Sequence, residues 1–209
     1  MHGTIPQKIG RLVTNLVLHP QYISRCVTHN LVNGKTPLDL EIPWFSYAAI
    51  DFLETFLKPE MTVCEYGSGG STLFFAQRTK SVFSIEDNSK WYELVQKRLK
   101  EKSVKNVTMK LCPFDFKHAQ GFEASDYLNA IPQERFDVIV VDGSEEWTQV
   151  RPVCFQRAES RVKKGGIIVL DDSWRYGTVR QNHHAKQYRI FQSVGPCRPG
   201  VTSTDIFFY

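Results

Sequence analysis

A glycine-rich turn after a short apolar segment constrains the fold of this chain more than any other feature. The turn lies in residues 63–72, which read VCEYGSGGST, and residues 73–76 continue as the apolar start of a helix. Glycine has no Cβ atom, so a glycine-rich backbone can approach a ligand closely. The free N–H groups at the start of the next helix favour a polar or anionic group. The stretch therefore predicts a strand–turn–helix unit whose turn binds a ligand.

Apolar segments alternate with helix-like segments from residue 61 onward. This alternation indicates a parallel sheet with helices on both faces. The predicted strands are residues 63–66, 81–85, 107–111, 136–141 and 167–170. The predicted helices are residues 71–78, 89–102 and 148–161, with a short helix or loop at 124–130. We expect Ser89 to cap the second helix. We also expect Gly165-Gly166 to turn the chain into the fifth strand.

The end of the chain has a different pattern. Residues 188–194 and 205–209 are extended, and no helix separates them. Strands joined in this way pair as an antiparallel hairpin. The chain therefore predicts a mostly parallel α/β sheet that ends in a hairpin.

The region before the sheet is helical. Residues 5–17 carry apolar side chains at helical spacing, and Pro20 is expected to end that helix. A second apolar helix is predicted from Trp44 to the boundary at Lys58-Pro59. We divide the chain into a helical extension, residues 1–42, and an α/β domain, residues 43–209. The extension could bind a membrane surface, but packing on the domain or on a second copy of the chain is favoured.

Composition excludes several classes of protein. The 209 residues carry a net charge of +4, which is too weak and too dispersed to predict a nucleic-acid partner. No segment has the roughly 18 apolar residues of a membrane span, and the start lacks the apolar core of a signal peptide. Five scattered cysteines argue against disulfides and a zinc site. We expect a cytoplasmic protein.

Acidic residues follow most of the predicted strands. Glu65, Glu86, Asp142 and the pair Asp171-Asp172 each lie at or just beyond a strand end. Open α/β sheets bind their ligands at this edge. The repetition indicates a functional site and not a set of unrelated loop residues.

The glycine turn itself excludes phosphate-binding loops. A GxxxxGK[ST] run is absent, and Thr72 stands where the dinucleotide motif GxGxxG has its third glycine. Glu65, two residues before Gly67, would repel a pyrophosphate but suits an ammonium or sulfonium group. S-adenosylmethionine carries both.

With these residues the sequence resembles the class I S-adenosylmethionine-dependent methyltransferases over residues 43–209. The resemblance implies a Rossmann-like three-layer α/β/α sandwich with a seven-stranded sheet. It also implies cofactor contacts by the glycine turn and by three acidic residues: Glu65 near the amino group, Glu86 at the ribose and Asp115 at the adenine. The turn residues concerned are Gly67, Ser68, Gly69 and Ser71.

A weaker resemblance links the chain to magnesium-dependent O-methyltransferases of the macrocin type. It rests on Asp142-Gly143 and Asp171-Asp172. It implies Mg²⁺ ligation by Asp142, Asp171 and Asp172, with Asp142 also serving as the catalytic base. The alternative is that Asp171 or Asp172 only caps the following segment. This chain departs from its relatives at residues 144–147 (SEEW), where they often carry another aspartate or a histidine.

The leading hypothesis is methylation of a small-molecule hydroxyl, of sugar or natural-product type. The segment after the fifth strand is expected to contact this acceptor through Trp174, Arg175 and Tyr176, with His183 or His184 as a further candidate base. Two alternatives stay open at this point. One is an RNA or protein methyltransferase with the same fold, and the other is a non-catalytic adaptor that binds partners through the helical extension.

Overall fold

One seven-stranded sheet forms the centre of the protein, in a computed structural model that describes residues 4–32, 34–198 and 200–209. The strands are β1 (Thr62–Tyr66), β2 (Ser81–Glu86), β3 (Val107–Leu111), β4 (Phe136–Val141), β5 (Val162–Leu170), β6 (Gln187–Val194) and β7 (Val201–Phe208). Their spatial order is β3-β2-β1-β4-β5-β7-β6. Strands β1 to β5 run parallel, and β7 is antiparallel to both β5 and β6. The predicted fold class and its terminal hairpin are confirmed.

Eight α-helices accompany the sheet in the described part of the chain. They are α1 (Ile5–Leu18), α2 (Ile23–Val27), α3 (Pro37–Leu40), α4 (Tyr47–Phe56), α5 (Gly70–Ala76), α6 (Ser89–Glu101), α7 (Asp126–Asn129) and α8 (Val150–Glu159). Helices α4 and α5 cover one face of the sheet, while α7 and α8 cover the other. None of the described helices is long and apolar enough to span a membrane.

Strand β4 shows why the central strands are apolar without interruption. Val138 and Val140 pack with α4 and α5, whereas Ile139 and Val141 pack with α7 and α8. All four side chains are fully buried. Because successive strand residues point to opposite faces, a sheet with helices on both faces needs an apolar residue at every position.

Local hydrogen bonds shift three of the predicted boundaries. Helix α4 begins at Tyr47, because the Ser46 hydroxyl accepts from the backbone N–H of Ala49 and caps it. Asn88, and not Ser89, caps α6 through its bond from the N–H of Trp91. Strand β5 begins at Val162, before the glycine pair, because Val162 already pairs with Phe136 of β4. The register between β4 and β5 then shifts before the next pair, Val138 with Ile167. The glycine pair thus lies within an irregular strand.

The N-terminal region packs on the C-terminal hairpin. The N–H of Val194 in β6 donates to the side chain of Asn15 in α1, over 3.1 Å. The hydroxyl of Ser46 donates to the carbonyl of Phe191, and the N–H of Ala48 donates to the hydroxyl of Ser193. The first contact holds the extension against β6, and the other two hold the start of α4 against the same strand.

The segment that contains α3 packs directly on the glycine turn. A Cβ atom added to Gly70 would lie 2.2 Å from the carbonyl oxygen of Ile42 and 2.3 Å from that of Pro37. Asp39 also pairs with Arg98 at 2.7 Å, and Glu41 pairs with Lys102 at 2.6 Å. Gly70 is therefore required by the extension that lies over it.

Substitution of Gly70 by alanine should destabilise the protein. The added methyl group meets two backbone carbonyls that no side-chain rotation can move, and such overpacking costs about 1–3 kcal/mol. Gly10→Ala in α1 is the matched control, since nothing lies within 4 Å of its added Cβ. Alanine is the better helix former there by about 1 kcal/mol. Urea unfolding of both variants measures the difference, and equal stability of the two would contradict the close packing at Gly70.

Candidate active site

A cleft of about 1240 Å³ lies at the carboxyl edge of the sheet. Its walls come from the glycine turn, from the ends of β2, β4 and β5, and from the N-terminal extension. Pockets for a single small ligand usually measure about 300–1,000 Å³. The cleft is therefore large enough for two molecules side by side, a cofactor and an acceptor.

The glycine turn forms one wall of this cleft. Gly67 has a φ of +92°, and a Cβ atom there would lie 2.5 Å from the carbonyl oxygen of Asp142. Glycine is thus needed both for the backbone conformation and for the close approach of β1 to β4. The indole N–H of Trp91 donates to the carbonyl of Ser68 over 2.6 Å. Four of the predicted cofactor residues line the cleft here: Gly67, Ser68, Gly69 and Ser71.

Glu65 lies beneath this turn and does not line the cleft. Its carboxylate accepts from the hydroxyls of Ser71 and Thr72, and the N–H of Gly69 donates in turn to the Thr72 hydroxyl. Burial raises the pKa of Glu65 to about 7, despite the two hydroxyl donors. The side chain thus fixes the shape of the turn from below. Its predicted contact with the cofactor amino group stays a prediction.

Glu86 lines the cleft at the end of β2. One carboxylate oxygen accepts from the N–H and the hydroxyl of Ser68, at 2.8 and 2.6 Å, and the other accepts from the N–H of Asn88. These donors fix the orientation of the carboxylate, and its contact with the ribose stays a prediction. Beside it, Asp87 also lines the cleft, and burial together with the charge of Glu86 raises the pKa of Asp87 to about 6.

Asp115 lies outside the lining of the cleft. Its exposed carboxylate bonds to the ring of His118 and accepts from the N–H of Lys117. The His118 hydrogen bond lowers the pKa of Asp115. The flanking aromatic side chains of Phe114 and Phe116 do line the cleft. This placement does not support the predicted contact of Asp115 with adenine.

Asp142 pairs with a buried arginine. Its Oδ1 lies 3.0 Å from Nη2 of Arg151, which also contacts Glu145 at 3.3 Å. Arg151 donates further to the backbone carbonyls of Gly143 and Asp171, over 3.0 and 2.9 Å. Burial raises the pKa of Asp142 to about 7, against the attraction of Arg151. This raised pKa is compatible with the predicted role of Asp142 as the base, which stays a prediction.

Asp171 and Asp172 are held by a second arginine. Nη1 of Arg198 lies 2.9 Å from Asp172 Oδ1, and Nη2 lies 3.9 Å from Asp171 Oδ2. Thr204 donates to Asp171 and Thr202 donates to Asp172, each over 2.6 Å. Burial and the charge of Asp142 raise the pKa of Asp171. Although burial opposes it, Arg198 lowers the pKa of Asp172.

The three aspartates predicted as magnesium ligands all line the cleft, yet their surroundings do not fit a metal ion. Within the described ranges, no three His, Cys, Asp or Glu side chains are arranged to hold one. Mg²⁺ needs near-octahedral oxygen ligands, whereas a guanidinium or hydroxyl donor already occupies Oδ1 of each of these carboxylates. The arrangement therefore does not support the magnesium prediction.

Only part of the segment after β5 lines the cleft. Trp174 and Arg175 line the cleft, whereas Tyr176, also expected to contact the acceptor, is buried and does not line it. Arg175 pairs with Glu145 at 2.9 Å. The two histidines do not line it: His184 pairs with Glu159, and His183 packs on the ring of Phe207. This placement gives no support to a histidine base.

Sequence reasoning missed the two arginines that pair with the aspartates. Arg151 lies in the first turn of a predicted helix, and Arg198 lies in the turn between β6 and β7. Both look like ordinary surface residues in the sequence. Only the packing of α8 and of the hairpin brings them to the ends of β4 and β5.

Glu65→Gln should remove a pH dependence of stability. The folded-state pKa of about 7 lies above the ordinary 4.5, so the native state holds the proton more tightly. Stabilisation from this group is complete below pH 4.5 and is lost as the pH rises to about 7, by about 3 kcal/mol. The variant should therefore gain stability relative to the wild type over that range.

Urea unfolding at about pH 5 and about pH 8 measures this difference. Glu60→Gln, at an exposed position, is the control and should follow the wild-type curve. A constant gap between Glu65→Gln and the wild type at both pH values would show that Glu65 does not carry a raised pKa.

Comparison with solved structures supports the same fold. An rRNA methylase from Streptococcus thermophilus is 14% identical and aligns with a TM-score of 0.57 over 85% of this chain and 99% of its own. A proposed O-methyltransferase from Klebsiella pneumoniae is 16% identical, with a TM-score of 0.58 over 97% and 98% of the two chains. A proposed methyltransferase from Streptococcus mutans, solved with S-adenosylhomocysteine, is 12% identical with a TM-score of 0.58 over 84% and 99%.

Family membership rests on the sequence itself. No curated protein matches the chain significantly. A family described as a methyltransferase domain matches residues 57–195, which include the glycine turn and the cleft residues Asp142, Asp171 and Asp172. With the sheet order and the placement of these residues at its carboxyl edge, the match is decisive. The chain belongs to the class I S-adenosylmethionine-dependent methyltransferases.

Proposed function

We propose that this enzyme methylates a hydroxyl group of a small, negatively charged molecule. The observation that carries the proposal is Asp142, a carboxylate in the cleft whose pKa burial raises to about 7. An alcohol must lose its proton to attack a methyl group, and a base that titrates near neutrality can accept it. The Gly67 backbone packs against the Asp142 carbonyl, so the base lies next to the wall predicted to bind the cofactor.

Bound S-adenosylmethionine supplies an electrophilic methyl group on its sulfonium sulfur. The Asp142 carboxylate takes the proton of the acceptor hydroxyl, whose oxygen forms the new C–O bond as the C–S bond breaks. Arg151 holds Asp142 in place through Oδ1, which is the only oxygen of this carboxylate with a hydrogen bond or ion pair to the described residues. Oδ2 is therefore the atom that we assign to the proton. The glycine turn and Glu86 orient the donor, and alignment supplies much of the acceleration in such a displacement.

The N-terminal extension contributes two cations to the cleft. Lys8 and Arg11 of α1 line the cleft, and neither side chain pairs with any described residue. Trp44 and Trp174 line it as well. Unpaired cations and indole rings in the same cleft favour a small acceptor with an anionic group, such as a carboxylate or a phosphate. The cleft lies under the extension, which favours a small molecule over a polymer.

Methyl transfer from radiolabelled S-adenosylmethionine tests the proposal. The acceptors would be a panel of hydroxylated carboxylates, the matching neutral amides, and total bacterial RNA. We expect label in hydroxyl groups of the carboxylates and little in the amides. Label found only in RNA or in protein would overturn the proposal.

Asp142→Asn should abolish methylation while S-adenosylhomocysteine still binds. The wild-type kcat should fall as the pH drops below about 7, because protonation removes the base. Loss of a general base typically costs about 10²–10⁴-fold in rate. Glu146→Gln is the matched control, since it removes one negative charge from the same cleft. Full activity of Asp142→Asn would refute the assigned role.

Lys8→Ala combined with Arg11→Ala should raise the KM for the acceptor by about tenfold or more, because two cations facing the anion are lost. The Kd for S-adenosylhomocysteine, measured by calorimetry, should stay unchanged. Thr14→Ala, an exposed change in the same helix, controls for damage to α1. An unchanged KM in the double variant would exclude α1 from acceptor binding.

A further inference from the structure

Two arginines are interleaved with the three aspartates at the ends of β4 and β5. Such a group of carboxylates at one sheet edge would attract a cation from solution if it were open. Here the positive charges come from the chain itself. Each arginine side chain is held by several hydrogen bonds and ion pairs. Both are therefore part of the fold and not members of a fluctuating surface ion pair.

Arg151 is the more deeply placed of the two. Its side chain is only 5% exposed. Three of its nitrogens make separate bonds: Nε to the carbonyl of Gly143, Nη1 to the carbonyl of Asp171 and Nη2 to Asp142 Oδ1. The guanidinium therefore ties the residues after β4 to the residues after β5. Its planar set of donors makes this possible, and a lysine could not replace it.

Arg198 reaches the same edge from the turn between β6 and β7. Its Nη1 bonds to Asp172 Oδ1, and its Nη2 donates to the carbonyl of Trp44 over 2.8 Å. Its backbone N–H donates to the side chain of Asn30 over 2.6 Å. The residue is thus anchored to the N-terminal extension on one side and to the aspartates on the other.

Two threonine hydroxyls also donate hydrogen bonds to Asp171 and Asp172. Thr204 donates to Asp171 Oδ1, and Thr202 donates to Asp172 Oδ1, which also receives Arg198. A divalent ion at this point would share these carboxylates with the donors that already occupy their Oδ1 atoms, and it would lie within a few ångströms of a guanidinium. Like charges at such a distance repel strongly in a site with little water.

We infer that the guanidinium groups of Arg151 and Arg198 take the place of a divalent cation among Asp142, Asp171 and Asp172, so that the site is complete without a metal ion. Arg198 is a positioning residue, which acts by holding Asp172 and Asp171. The inference about metal binding does not depend on the proposed function. The consequence of that inference for catalysis does rest on the proposed function.

Mn²⁺ binding tests the inference directly, because free Mn²⁺ gives an electron paramagnetic resonance signal that is lost on binding. The proteins would be the wild type, Arg198→Met, Arg175→Met and the double variant Asp171→Asn/Arg198→Met, each saturated with S-adenosylhomocysteine. Arg175→Met is the matched control, since it removes a cleft arginine that pairs with Glu145 and with none of the three aspartates. Retained S-adenosylhomocysteine affinity shows that each variant is folded.

The wild type and Arg175→Met should bind Mn²⁺ only weakly. Arg198→Met should bind one ion about tenfold or more tightly than either, because a repelling charge is gone and a carboxylate pair is exposed. The double variant should lose this gain. One tightly bound Mn²⁺ in the wild type, or no gain in Arg198→Met, overturns the inference.

A second measurement covers catalysis. Once an acceptor is found, wild-type methylation should be equal in EDTA and in millimolar Mg²⁺. Arg198→Met should show a lower kcat that added Mg²⁺ partly restores. Wild-type activity that is abolished by EDTA and restored by Mg²⁺ would also overturn the inference. If no acceptor is methylated, the proposed function fails and the Mn²⁺ experiment still decides the question of the metal.

Discussion

The buried guanidinium of Arg151 is the interaction on which the cleft depends. It joins the ends of two neighbouring strands through two backbone carbonyls and one carboxylate. Breaking a buried ion pair by removing one partner costs about 3–5 kcal/mol, because the other charge is left uncompensated. The same group keeps Asp142 oriented while burial raises the pKa of that carboxylate. Stability and the proposed chemistry therefore share one side chain.

The shape of the glycine turn also depends on buried contacts, which come from two sides. From below, Glu65 holds the hydroxyls of Ser71 and Thr72 and so fixes the loop. From above, the segment before α4 presses two carbonyls against Gly70. The turn is thus set by protein contacts on both sides before any ligand arrives. Preorganisation of this sort reduces the entropy lost on binding.

The sequence predicted the sheet well because its strands follow simple periodic rules. Strand β4 reappears with the predicted limits and β6 with nearly the predicted ones, whereas β7 begins at Val201, well before the predicted residue 205. Predicted site residues at strand ends, such as Glu86 and Asp142, lie in the cleft because strand ends converge at one edge. Glu65 and Asp115 do not line it, since a strand residue can point into the core and a loop residue can turn outward. Arg151 and Arg198 were not predicted, because their roles depend on burial and on contacts distant in sequence.

The pairing of the N-terminal extension with the terminal hairpin also bears on how the enzyme folds. Asn15 bonds to Val194, 179 residues away, and Asn30 bonds to Arg198, 168 residues away. Contacts between such distant segments form late, since a long loop must close first. Strands β1 to β5 can pair while α1 is still undocked. The acceptor side of the cleft should therefore be the last part to assemble, and a nascent chain should not carry out methylation until the hairpin has been synthesised.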